Sequence, residues 1–273
     1  MSEPVRIAVF GATGRMGRSV IASLGDFPDL ALVGALAGPE GEGGGADAGT
    51  LAGVDELGVV LSPDRSEVVR GAQVAIDFTL PGAVPGNLRA CREAGVACVS
   101  GVTGLDAPAL HAMEEAAGHI PVLWAPNMST GVAVLTRAAQ MAAKALGDGF
   151  DVEILEIHHA AKRDAPSGTA LALGAAVARA RGLDPQAAAV IGRQGPGERQ
   201  AGSIGYASLR AGDVAGEHTV VLAGPGERLE LSHRATDRKI FARGALTAAR
   251  WLAGQGPGRY ELGDVLGLES MDT

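Results

Sequence analysis

The densest chemistry in the chain lies between Glu153 and Ala170, which read E-I-L-E-I-H-H-A-A-K-R-D-A-P-S-G-T-A. His158 and His159 end a run with strand character, so their rings should point to opposite faces. Lys162, Arg163 and Asp164 follow in a polar loop closed by Ala165 and Pro166. Ser167 is a good N-cap, and Gly168 and Thr169 open the next helix, whose first N–H groups form an anion site. Two imidazoles, one ammonium and one helix N-terminus within twelve residues suit a small anionic substrate that needs a proton. Histidine titrates near neutrality and can donate or relay that proton; lysine supplies a compact charge whose pKa its surroundings tune. Neither C-x-x-C nor H-E-x-x-H occurs, and Cys91 and Cys98 stand far along the chain from the histidines, so no metal site is predicted.

Lysine is scarce: of 23 basic residues only Lys144, Lys162 and Lys239 are lysines. A chain that writes its other positive charges as arginine makes Lys162, inside the motif, a candidate for work a guanidinium does badly. Lys144 and Lys239 read as surface charges. His218 and His233 read as surface or structural histidines, and Arg234 and Arg238 as candidates to line a substrate pocket.

A second feature is G-A-T-G-R-M-G, Gly11 to Gly17, between a strand and a helix. That is the context of a dinucleotide-binding turn. Gly11 permits the tight turn, Gly14 lets backbone approach a pyrophosphate, and Gly17 allows close helix–sheet packing; the helix N-terminus offers N–H groups to the phosphates. The spacing is G-x-x-G-x-x-G, with Thr13 where a second glycine is usual. The second strand should end in an acid for the adenosine ribose or an arginine for a 2′-phosphate. Glu40 is the nearest acid, and no Lys or Arg occurs between Arg18 and Arg65. NADH should therefore serve at least as well as NADPH.

These groups need a scaffold. Up to Ala125 the chain alternates apolar runs (Arg6 to Phe10, Leu30 to Leu36, Val74 to Phe78, Ala97 to Gly101, Val122 to Ala125) with helical stretches such as Met16 to Leu24 and Pro85 to Ala94. This rhythm predicts an α/β fold with a parallel sheet and right-handed crossovers. Gly38 to Gly53 reads as a flexible loop. After Asn127 a helix is predicted over Val132 to Leu146, a strand over Asp151 to His159 and a helix over Thr169 to Arg181. Ser203 to Arg210, Glu217 to Ala223 and Arg228 to His233 read as an antiparallel meander. Lys239 to Leu252 reads as a final helix that returns to the first domain.

Composition narrows the classes. The chain has 273 residues, enough for one to two domains, and its 47% hydrophobic and 20% charged content excludes wholesale disorder. A net charge of −8 argues against a general nucleic-acid binder. No stretch approaches the ~20 apolar residues of a membrane span, and the N-terminal residues lack a signal-peptide pattern. Two cysteines fit a cytoplasmic protein.

Taken together, the motifs resemble one family. E-I-H-H-A-A-K-R-D-A-P-S-G-T-A is similar to the signature of the dihydrodipicolinate reductase (4-hydroxy-tetrahydrodipicolinate reductase) family. So are V-F-G-A-T-G-R-M-G, Asp77-Phe78-Thr79, S-G-V-T-G (Ser100 to Gly104), A-P-N-M-S-T-G (Ala125 to Gly131) and R-A-G-D-V-A-G-E-H (Arg210 to His218). The resemblance spans essentially the whole chain in order. It implies a Rossmann-type cofactor domain from residues 1–126 together with 240–273. A central α/β domain with a mixed or antiparallel sheet, 127–239, would bind substrate and assemble a homotetramer. It implies NADH- or NADPH-dependent reduction of a small cyclic dicarboxylate to tetrahydrodipicolinate in lysine and diaminopimelate biosynthesis. On the matching positions, His158 would be the proton donor or relay and Lys162 the second donor, while His159, Gly168 and Thr169 would hold the substrate. Gly11, Ala12, Thr13, Gly14, Arg15 and Met16 would cradle the pyrophosphate. Gly101, Val102, Thr103, Ala125, Pro126, Asn127 and Met128 would border the nicotinamide and its ribose.

The chain departs from the family twice: the Glu-Arg pair that follows the second strand in many members is missing, and Val102 replaces a frequent threonine. Another two-domain amino- or keto-acid dehydrogenase would explain the glycine loop but not the His-His to Gly-Thr block. A non-catalytic NAD-binding protein would predict loss of the proton donors, yet His158 and Lys162 are both present.

Overall fold

The computed structural model describes residues 3–38 and 41–268. In chain order the strands are β1 (Val5–Phe10), β2 (Leu30–Leu36), β3 (Leu61–Ser62), β4 (Val74–Asp77), β5 (Ala97–Ser100), β6 (Pro121–Trp124), β7 (Asp151–His158), β8 (Ala189–Ile191), β9 (Ile204–Arg210), β10 (Gly216–Gly224), β11 (Glu227–Ala235) and β12 (Gly258–Tyr260). The helices are α1 (Arg15–Ala22), α2 (Ala48–Ala52), α3 (Arg65–Val68), α4 (Val84–Ala94), α5 (Ala107–Ala117), α6 (Thr130–Leu146), α7 (Gly168–Ala180), α8 (Pro185–Ala188), α9 (Lys239–Leu252) and α10 (Leu262–Val265). The chain divides into two compact units: one runs up to Ser129 and resumes at Lys239–Gly267, the other is Thr130–Arg238.

The first unit holds a seven-stranded sheet in the order β12-β6-β5-β4-β1-β2-β3, and every pair is parallel. Its central strands are buried on both faces: Ile7, Ala8, Val9, Phe10, Val74, Ala75 and Ile76 are all fully covered. A continuous apolar run is what a strand clothed by helices on both sides requires. The chain steps outward from β1 through β2 to β3, then crosses back to β4 and steps out the other way. That reversal leaves a crevice at the carboxyl ends of β1 and β4, the position where open α/β sheets take ligands.

The glycine-rich Gly38 to Gly53 segment is not simply a loop. Asp47 Oδ1 accepts from Thr50 N (2.9 Å) and so caps the short helix α2, and the same carboxylate accepts from Leu57 and Val59 N–H groups. One capping aspartate supplies the order that the glycines conceal. Glu40 lies outside the described residues.

The second unit carries a five-stranded mixed sheet, β11-β10-β7-β9-β8. Here the meander expectation is wrong. Only β10 and β11 form an antiparallel hairpin; β9 pairs in parallel with β7, and β7 lies between β9 and β10. Strand β7 alternates strictly, with Val152 and Ile154 fully buried on one face, and at the centre of the sheet both its edges find partners. Past β9 the chain stays bonded to the end of β7 before it turns: Ala211 N donates to His158 O (2.9 Å) and Ala160 N donates to Gly212 O (3.0 Å).

Helices α6 and α7 cover one face of this sheet, where Leu135, Ala139, Leu173 and Val177 pack on Ile154, Ile204, Tyr206, Val220 and Leu222. The opposite face carries Leu155, Ile157, Leu209 and Val221, as the strand registers require. Leu209 is 50% exposed there. The helix predicted at Lys239 to Leu252 is present, and β12 and α10 follow it.

Candidate active site

In the first unit, the expected nucleotide residues gather at the carboxyl end of the sheet because every strand runs the same way. Gly11 to Met16 follow β1, Gly101 to Thr103 follow β5, and Ala125 to Met128 follow β6. Gly11 has φ +77°, and a Cβ there would sit 2.9 Å from Phe78 O. A Cβ on Gly17 would sit 2.1 Å from Gly11 O, so only glycine lets α1 begin so close to its own loop. Gly14 is the N-cap of α1 and has no side chain to bond the first-turn N–H groups. A tight glycine turn that opens a helix whose N-cap carries no capping side chain fits a bound pyrophosphate.

Neighbouring residues brace this end. Asp77 is fully buried; its carboxylate accepts from Thr79 N (2.8 Å), Thr79 Oγ1 (2.7 Å) and Asn87 Nδ2 (2.9 Å). Burial pushes the Asp77 pKa up, opposed by these donors. A Cβ on Gly101 would lie 2.1 Å from the Phe78 ring, so that glycine is demanded by the aromatic side chain beside it. The Val102 side chain turns into the core, while its carbonyl accepts from Trp124 Nε1 (2.8 Å). Thr103 and Pro126 are exposed, and Ala125 and Met128 are buried. Helix α9 fixes the last loop, since a Cβ on Gly244 would sit 1.7 Å from Met128 O.

Beside the glycine loop, Arg18 Nε donates to Thr13 O (2.9 Å), and Arg15 is exposed. A Cβ on Gly38 would lie 2.8 Å from Thr13 Oγ1 and 3.2 Å from Glu42 Oε2. The acid that stands beside the glycine loop is thus Glu42, brought back by a turn in which Gly38 N donates to Glu42 O (2.7 Å).

In the second unit, alternation along β7 sends Val152, Ile154, Glu156 and His158 inward. His158 Nδ1 bonds Glu156 Oε2 at 2.5 Å. Glu156, only 1% exposed, also accepts from Arg210 Nη1 and Nη2 (both 2.8 Å) and from Ser167 N (3.1 Å). Burial raises the Glu156 pKa, but the Arg210 and His158 hydrogen bonds outweigh it and bring it to about 2. Burial lowers the His158 pKa, and Glu156 partly offsets that. A Cβ on Gly216 would lie 3.0 Å from His158 Nε2, so the free edge of the ring faces space that glycine leaves open.

His218 proves to be part of this cluster and is not a surface residue. It is buried, its ring meets that of His158 edge-on at 5.2 Å, and its Nε2 is 3.1 Å from Ser167 Oγ. Burial, with His158 beside it, lowers the His218 pKa to about 4. Ser167 caps α7 as predicted, accepting from Ala170 N at 3.2 Å. Lys162 Nζ sits on both Asp164 oxygens (2.8 and 2.9 Å), and Arg210 Nη2 donates to Asp164 O (2.6 Å), which ties the loop to β9. His159 is half-buried just past β7; Gly168 and Thr169 form the first turn of α7. Arg234 does not join them. It pairs with Glu217, whose register puts it on the opposite sheet face from His218.

Sequence reasoning missed Glu156, Arg210, Gly216 and His218. The signal for Glu156 was available: two residues before His158 on a strand is the same face. The others come from strands whose neighbours the local sequence does not name.

Two family models match the chain: dihydrodipicolinate reductase, N-terminus, over residues 5–128, and dihydrodipicolinate reductase, C-terminus, over residues 131–266. The 4-hydroxy-tetrahydrodipicolinate reductase of Alkalilimnicola ehrlichii is 52% identical over 264 residues, 96% of this chain and 99% of that protein. That of Thiobacillus denitrificans is 48% identical over 266 residues, 97% of this chain and 99% of that protein. Among solved structures, a dipicolinate-bound dihydrodipicolinate reductase from a Paenisporosarcina species superposes with a TM-score of 0.76 at 22% identity, covering 94% of this chain and 97% of that one.

Proposed function

Because the chain belongs to the dihydrodipicolinate reductase family, we propose that it reduces 4-hydroxy-tetrahydrodipicolinate to tetrahydrodipicolinate in lysine and diaminopimelate biosynthesis. The observation that carries this reading is the single cluster of His158, Lys162 and the first turn of α7, with the His158 ring held from behind by Glu156. A bound nicotinamide dinucleotide supplies the hydride; Gly11 to Met16 would hold its pyrophosphate, and Gly101 to Thr103 with Ala125 to Met128 would border its nicotinamide ribose.

The substrate is a dicarboxylate, and the dipicolinate held by the Paenisporosarcina protein is one too. Lys162 and the Gly168 and Thr169 amides hold its carboxylates, with His159 alongside. Asp164 is largely exposed, so its ion pair with Lys162 is weak and a substrate carboxylate can take its place on Nζ. The 4-hydroxyl first leaves as water to give the conjugated imine; hydride addition then leaves an enamine-like anion, which His158 protonates from Nε2, with Lys162 as the second donor. In a protein of net charge −8, these local cations are what attract a dianion.

For the cofactor, NADH serves at least as well as NADPH: Glu42 stands beside Thr13, and of the two arginines near the loop, Arg15 and Arg18, Arg18 is engaged by the Thr13 carbonyl. For assembly, the apolar centre of the open sheet face, Leu155, Ile157, Leu209 and Val221, is covered by further copies in a homotetramer. The protein acts in the cytoplasm.

The test is a coupled assay in which dihydrodipicolinate synthase supplies the substrate and NAD(P)H oxidation is followed by absorbance. Oxidation that depends on the synthase supports the reading; none with either cofactor overturns it.

A further inference from the structure

Catalysis by His158 needs one ring nitrogen to face substrate and the imidazolium to be acidic enough to give its proton away. Both conditions trace to residues behind the ring. The Glu156 carboxylate is surrounded: Oε1 accepts from Arg210 Nη2 and Ser167 N, and Oε2 accepts from Arg210 Nη1 and faces His158 Nδ1. An ionised carboxylate only accepts, so the proton between Glu156 and His158 sits on Nδ1. In the neutral ring Nε2 is then bare, and in the charged ring Nε2 holds the transferable proton, over the gap at Gly216.

A buried glutamate alone beside a histidine would hold the imidazolium too firmly. Arg210 grips the same carboxylate with two parallel bonds and draws off much of its field. We propose that Glu156 and Arg210 form a positioning pair: Glu156 fixes the Nδ1–H tautomer of His158, and Arg210 tempers Glu156 so that Nε2 can release its proton. This rests on His158 being the proton donor.

The other groups around the ring fit that division. His218 from β10 meets it edge-on, with His233 paired opposite on β11. Lys162 and Asp164 stand in the loop before α7, and Ser167 at its cap bonds both Glu156 and His218. Lys162 and Arg210 disfavour a charged His158, His158 in turn disfavours a charged His218, and Glu156 is the anion in direct contact with the His158 ring.

Two substitutions should therefore move the same titration in opposite directions. Arg210→Met leaves Glu156 untempered and raises the His158 pKa, so the alkaline limb of kcat/KM moves up by about one pH unit. Glu156→Gln removes the anion, and the limb moves down by a similar amount, with kcat falling roughly tenfold or more. A purely structural role would lower activity in both without opposite displacement, and limbs that move together or stay put overturn the proposal. If either variant fails to fold, the 15N shifts of His158 in the full-length wild-type chain decide. A neutral ring protonated at Nδ1 supports the pair, and one protonated at Nε2 overturns it. The NMR readout does not depend on turnover, so it separates this idea from the role of His158, which His158→Gln tests by loss of kcat.

Discussion

Gly216 is the residue that leaves His158 an open edge: a Cβ at 216 would lie 3.0 Å from Nε2, the nitrogen turned away from Glu156. Gly216 also has φ +155°, a conformation that L side chains rarely adopt. Gly216→Ala should therefore lower kcat about tenfold or more and cost roughly 1–3 kcal/mol in backbone strain. Steady-state kinetics and thermal melts read the two effects separately. Wild-type kcat in a folded variant would show that Nε2 does not use this space.

Among the described residues the Lys162 ammonium pairs with the exposed Asp164, so its removal should spare the fold. Lys162→Ala should cut kcat by about a hundredfold or more, the usual range for a lost proton donor. Nucleotide binding, followed by fluorescence titration, should persist. Turnover at the wild-type rate would remove Lys162 from the mechanism.

His218 makes stability depend on pH. Its pKa is about 4 when folded against an ordinary 6.5, so the unfolded chain binds the extra proton first. The stabilisation is fully present above about pH 6.5 and is lost as pH falls through the interval down to about 4, on the order of 3 kcal/mol in all. Glu156, held near 2, adds a further loss once pH drops below the ordinary carboxylate range. Urea melts between pH 7 and pH 4 should show this decline, and His218→Gln should flatten it. An unchanged slope in that variant would mean another group carries the effect.

Glu42 should set the cofactor balance. Its carboxylate shares the space beside Gly38 with the Thr13 hydroxyl, where a 2′-phosphate would meet like charge. Glu42→Gln should shift the ratio of NADPH to NADH affinity about tenfold toward NADPH, equivalent to ~1.4 kcal/mol. Calorimetric titration of both nucleotides checks this, and an unchanged ratio would clear Glu42 of the role.

Much of this was legible along the chain because it is local. A capping serine three residues before the amide it accepts from, a glycine loop between adjacent strand and helix, and apolar runs of strand length all depend on near neighbours. They pointed to α7, the first-unit sheet, and both His158 and Lys162. Where glycines dominated, as before Asp47, local signal was too thin to show α2.

What the linear order could not supply is pairing between distant strands. Whether Arg210 reaches Glu156 and His218 meets His158 depends on β7 lying between β9 and β10, a pairing between segments far apart in the chain. Residues 54 positions apart then share one carboxylate, as Glu156 and Arg210 do. The identity of the chemical groups is written in the chain; their protonation states are set by burial and by partners that only the folded sheet brings together.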